Sequence, residues 1–120
     1  MGGQIKKGNT HINLVMSKIL KEKIQEYARN DNRSMSNYCV RILDDPYIYM
    51  SFYKNNPGKA LASANWKNEG MARINLVVSE EQKNKLIAEA EEAGRSLNNY
   101  IVTKLLIFCL FMDPDFLKDV

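Results

Sequence analysis

The sequence predicts a mainly α-helical fold in which two tandem strand–helix–helix units of one chain close on each other as an intramolecular pseudo-dimer around a two-stranded antiparallel ribbon. Three observations lead there: a gapless internal repeat, a period-two apolar pattern opening each copy, and helix punctuation in matching places after it. Shifted by 62 positions, residues 11–43 align with 73–105, and 14 of the 33 pairs are identical. Among them are Ile12/Ile74, Asn13/Asn75, Leu14/Leu76, Val15/Val77, Lys21/Lys83, Arg33/Arg95, Ser34/Ser96 and Tyr38/Tyr100.

In the opening stretch Ile12, Leu14 and Met16 alternate with His11, Asn13 and Val15, and Ile74, Leu76 and Val78 alternate with Arg73, Asn75 and Val77. Period two means a strand with one buried face. Ser17 and Ser79 then stand where a helix N-cap belongs, the second followed by Glu80 and Glu81 at the positive end of the helix dipole. Apolar residues at Leu20, Ile24, Tyr27 and Ala28, and at Leu86, Ile87, Ala90 and Ala93, recur at helical spacing and predict helices ending near Asp31 and Ala93. Asn32 and Gly94 share the next slot, and both residue types enter the left-handed conformation cheaply, as a helix C-cap requires. Ser34 and Ser96 are natural N-caps of a second helix, whose apolar face carries Tyr38, Ile42 and Leu43 in one copy and Tyr100, Ile101, Leu105 and Leu106 in the other. Tyr38 and Tyr100 are read as core residues.

One such unit cannot stand alone, because its strand is an unpaired edge and its core is too small. Pairing residues 12–16 with 74–78 over four interlocked helices removes both problems. Residues 11–112 are accordingly one compact domain, made of a first unit (11–43), a linker (44–72) and a second unit (73–112). A basic arm (1–10) precedes it and a tail (113–120) follows. The 29-residue linker exceeds a plain connection. Pro46 suits a helix start, Tyr47, Ile48, Met50, Phe52 and Tyr53 follow it, and Trp66 is placed in the core.

Charge is uneven: residues 1–43 carry +5 and residues 107–120 carry −2 within a net +3. A positive field at one end suits a polyanionic partner. Cys39 and Cys109 sit in apolar runs without CxxC or Cys/His spacing, which points to reduced thiols, no metal site and a cytoplasmic location. No secretory signal is read at the start, and the densest apolar run, residues 105–112, falls well short of a membrane span. Enzyme chemistry finds no catalytic set and no cofactor site: there is one histidine, no repeated carboxylate pair on a shared face, no glycine-rich phosphate loop and no cysteine beside a base.

The alternating strand, the "GRSLNNY" type of turn into the second helix and the unit length, each duplicated, resemble the ribbon-helix-helix DNA-binding proteins, which include the Arc and MetJ repressors. Two units in tandem, followed by "DPDFLKD", also resemble the TraY-type relaxosome proteins of conjugative plasmids. The resemblance implies a ribbon laid in the major groove of double-stranded DNA, with His11, Asn13 and Val15 of one strand and Arg73, Asn75 and Val77 of the other as base-reading residues. Residue chemistry agrees, since Asn pairs with adenine, Arg with guanine and a valine methyl with the thymine methyl. Arg73 faces His11 across the approximate twofold relation, so the expected target is asymmetric.

Phosphate contacts are expected at the start of each second helix, where free backbone N–H groups attract anions: Arg33, Ser34 and Ser36 in one copy, Arg95, Ser96 and Asn98 in the other, with Lys6 and Lys7 of the arm. The expected role is transcriptional repressor or transfer-origin accessory factor, with cooperative self-association on DNA and a relaxase or other protein partner. An alternative keeps the scaffold for protein interaction, as an antitoxin or assembly adaptor using "DDPYIYMSFY" and "IFCLFMDPDF".

Overall fold

The computed structural model describes residues 8–55 and 57–118, without the side chains of Tyr53 and Asn55. The fold is mostly helical with a two-stranded antiparallel sheet. Strand β1 (Asn9–Ser17) leads into helices α1 (Lys18–Asn30) and α2 (Met35–Leu43). The linker holds α3 (Pro46–Asn55), the four-residue α4 (Lys59–Ala62) and a 3-10 turn at Trp66–Asn68. Strand β2 (Met71–Ser79) is followed by α5 (Glu80–Glu92) and α6 (Leu97–Met112). Both strands are longer than the alternating pattern indicated, because backbone bonds from Lys18 N–H to Gly70 O (3.0 Å) and from Glu80 N–H to Gly8 O (2.8 Å) continue the pairing beyond it.

Asn13 pairs with Asn75 at the centre of the sheet, Ile12 with Leu76 and Leu14 with Ile74. Ile12, Leu14, Met16, Ile74, Leu76 and Val78 are all buried, so the period-two reading held on both strands. The same register pairs His11 with Val77 and Arg73 with Val15. Arg73 therefore does not face His11; the two occupy equivalent places at opposite ends of the sheet.

Helix punctuation follows the local chemistry, with one exception. Asn32 and Gly94 take positive φ (53° and 68°) after α1 and α5. Ser34 and Ser96 hydroxyls accept from the N–H groups of Asn37 and Asn99, and Ser79 forms a reciprocal capping box with Gln82. Ser17 makes no capping bond: its hydroxyl is buried and finds no partner among the described residues. Three residues on, α5 has Gln82, which completes the box, and α1 has the fully buried Leu20, which cannot form one.

The core runs from the inner sheet face through α1, α2, α5 and α6 to the linker, where Ile48, Phe52, Ala62 and Trp66 are buried. Helix α6 buries residues on every side, Tyr100 through Ile107 without a break, because α3 and α4 pack against the flank that α2 in the first copy leaves to solvent. Tyr100 is fully buried, and Tyr38 is half-buried edge-on to Phe108 at 5.8 Å. Burial pushes the Cys39 and Cys109 thiols up to about 12, which leaves both protonated at neutral pH. No helix among the described residues is long and apolar enough to cross a membrane.

Candidate functional site

With one face of the sheet sealed, the other carries the alternate set. Asn13, Arg73, Asn75 and Val77 are exposed, and His11 and Val15 are partly covered. The two asparagines sit directly opposite each other at the middle of the register, and the Asn75 amide Nδ2 donates to His11 Nδ1. Backbone pairing holds all six side chains on one rigid, solvent-facing surface.

Four further side chains fix that surface to the helices, in two equivalent pairs. Lys21 on α1 donates to the Arg73 carbonyl (3.1 Å), and Lys83 on α5 donates to the His11 carbonyl (3.2 Å). Ser36 at the start of α2 accepts from Val77 N–H (2.9 Å). Asn98 at the start of α6 accepts from Val15 N–H (2.7 Å) and donates back to the Val15 carbonyl (3.0 Å). Each lateral edge of the sheet is thus covered at one residue, Val77 or Val15, by the second helix of the opposite copy, which helps to blunt an edge that would otherwise template other strands.

Several of the residues expected at phosphates also make bonds within the protein. Ser36 and Asn98 bond the strands, because the helix start lies within hydrogen-bond reach of the sheet edge; the Ser36 O–H and the second Asn98 N–H are not used in these bonds. Arg95 donates to Asn99 Oδ1 (2.9 Å), Thr103 Oγ1 (3.1 Å) and the Pro57 carbonyl, and its guanidinium lies over the Phe52 ring at 5.0 Å. It ties the linker to α6. Arg33, its counterpart, is more open, pairing with Asp31 (2.6 Å) and Asn37 (3.2 Å). Ser34 and Ser96 stay exposed as caps beside the free N–H groups of α2 and α6. Lys6 and Lys7 lie outside the described residues.

The repeat also held a signal for the two lysines: Lys21/Lys83 are identical in the copies, and their bonds to the strand carbonyls supply the reason. Comparison with protein-family models, with curated proteins and with solved structures gives no match in any of the three.

A second polar cluster lies inside. Lys104 takes the place of Ile42 and is 1% exposed. Its Nζ donates to the Leu43 carbonyl at the end of α2 (3.2 Å), lies 3.7 Å from Glu89 Oε1 and sits over the rings of Tyr100 (5.3 Å) and Tyr49 (5.5 Å). Tyr100 Oη donates to the same Glu89 oxygen at 2.9 Å. An ammonium at a helix C-terminus meets both an unpaired carbonyl and the negative end of the dipole. The mismatch with Ile42 was visible in the aligned copies; burial of the cation was not, since lysine is normally a surface residue.

Proposed function

We propose that this chain binds double-stranded DNA sequence-specifically as a ribbon-helix-helix pseudo-dimer completed within one polypeptide. It lays the outer face of the β1–β2 sheet in the major groove and serves as a transcriptional repressor or a transfer-origin accessory factor. The observation that carries this reading is the outer face itself: polar, hydrogen-bonding side chains at alternate positions, with Asn13 against Asn75 at the centre. A two-stranded sheet fits the major groove, about 12 Å wide, and each well-made bidentate contact discriminates by about 1–3 kcal/mol. Exposed N–H groups at the starts of α2 and α6, with Arg33 and the basic first 43 residues, supply backbone attraction.

Selection of bound duplexes from a random pool tests the reading. A consensus, together with affinity that falls steeply with salt, supports it; no enrichment and a flat salt response reject it. Asn75→Ala should then lower affinity for the selected site by about 1–3 kcal/mol and leave non-specific binding nearly intact.

A second reading, as a protein-interaction module, has its own support. Tyr47 (57% exposed), Met50 (65%), Phe111 (58%) and Met112 (50%) bring apolar surface to water, with the Tyr47 and Phe111 rings 5.2 Å apart. Both segments singled out for protein contact contribute to it.

A further inference from the structure

The two central asparagines are the same residue at the same level of the sheet, yet they have different diagonal neighbours. Asn75 has His11 beside it, two positions along from its direct partner Asn13, and the Asn75 amide Nδ2 donates to His11 Nδ1. At the equivalent diagonal, Asn13 has Arg73. Diagonal neighbours in an antiparallel pair are within reach of long and ring side chains.

The chemistry of these neighbours is opposite. An imidazole nitrogen without a proton accepts, so it holds the amide by its NH₂ group. A guanidinium has five donors and no acceptor, so it can hold an amide only by its oxygen. A held amide cannot turn over. Among the described residues, the Asn75 amide keeps one N–H and its carbonyl oxygen for a ligand, in an order along the sheet set by the bond to His11. That pair matches the N7 acceptor and N6 donor of adenine in one orientation only. An amide free to turn by 180° would match the reversed order equally well.

We infer that His11 is a positioning residue for Asn75: it fixes the polarity of that amide, so that the protein distinguishes A·T from T·A at the base pair Asn75 reads and recognises a target that is not palindromic at its centre. This assigns His11 a role different from direct base contact. The backbone around it is set to the task, because Lys83 holds the His11 carbonyl at 3.2 Å and so fixes the strand from which the ring projects. The inference rests on the DNA-binding reading above.

The test uses the full chain and duplexes carrying the selected consensus, with each of the four base pairs in turn at the position where Asn75→Ala loses discrimination. Wild type should prefer A·T over T·A by ~10-fold. His11→Leu, which can neither accept nor donate, should bring that ratio to within about threefold while A·T over G·C is kept. His11→Gln, whose side-chain oxygen can accept, should restore part of it. Melting curves of the variants establish that each is folded. A uniform loss of affinity by His11→Leu across all four duplexes makes His11 a plain contact residue and overturns the inference, as does unchanged discrimination. Absence of any consensus for wild type instead removes the DNA-binding reading and the inference with it.

Discussion

Replacing Glu89 by Ala should unfold the protein far more readily than replacing the lysine it faces. Lys104 is 1% exposed and keeps its charge inside by three means: Glu89 at 3.7 Å, the Leu43 carbonyl at 3.2 Å and two aromatic faces. Glu89→Ala removes the carboxylate paired with Lys104 and also the acceptor for the Tyr100 hydroxyl (2.9 Å). Stripping one partner from a buried pair costs about 3–5 kcal/mol. The Glu89 side chain is 13% exposed and the Leu43 carbonyl remains, so the lower end, about 3 kcal/mol, is expected. At ~3–6 °C per kcal/mol for a chain of this size, Tm falls by about 9–18 °C.

Lys104→Met places an apolar chain where the other copy has Ile42 and leaves the partly exposed Glu89 with its bond from Tyr100; it should lie within about 1 kcal/mol of wild type. The double variant should recover most of the loss caused by Glu89→Ala. Burial lowers the Lys104 pKa below the ordinary 10.5, against Glu89, which raises it. For a cation depressed in this way the unfolded chain holds its proton to higher pH, so stability rises as pH climbs through the folded-state pKa toward 10.5. Wild type should therefore gain on Lys104→Met over that alkaline range. Urea melts followed by circular dichroism measure all of these. A Glu89→Ala protein within 1 kcal/mol of wild type, flagged by an unchanged midpoint of about the same slope, refutes the reasoning, and so does a Lys104→Met protein as unstable as Glu89→Ala.

Three other outcomes are expected. Asn98→Ala forfeits two bonds to the Val15 backbone and should cost about 1–2 kcal/mol, whereas Ser36→Ala forfeits one more exposed bond and should cost about 1 kcal/mol or less; matched denaturant curves compare them. Ser79→Ala should lose about 1 kcal/mol with its capping box, while Ser17→Ala, which removes a buried hydroxyl without a partner among the described residues, should be neutral or stabilising by Tm. Sedimentation at micromolar concentration should find a monomer in the absence of DNA, since β1 already has β2 as its partner; a constitutive dimer would require a different use of the exposed Tyr47–Phe111 surface.

What the residues disclosed by themselves was whatever depends on near neighbours. Period two placed Ile12, Leu14 and Met16 inward, and the Ser34 and Ser96 caps and the left-handed Asn32 and Gly94 follow from bonds spanning a few residues. Ser17 misled because its hydroxyl is buried and does not reach the first-turn N–H groups, which the local spacing does not disclose. Ser36 and Asn98 carry the same local signature as anion-binding residues; only the packing of α2 and α6 against the opposite strands, 41 and 83 residues away, directs them to the backbone. Arg95 was equally unreadable, since Pro57 and Phe52 reach it through the fold of the linker. The outward six were legible as a set, and the His11–Asn75 contact emerged only with the register.

The burial of α6 on every side changes what the segment between the copies must be. A tether need only be long enough, and a flexible run of glycine and serine would serve. Here α3 and α4, with Ile48, Phe52 and Ala62 buried, are themselves part of the wall around α6, Trp66 is buried against Phe116, and Arg95 is clamped to Pro57. Substituting a neutral tether would leave a helix with an oily flank facing water, so the connection is as much a piece of the core as either copy. For the same reason the two copies are no longer interchangeable parts: a second helix taken from the first copy would present to α3 and α4 a side that was made for solvent.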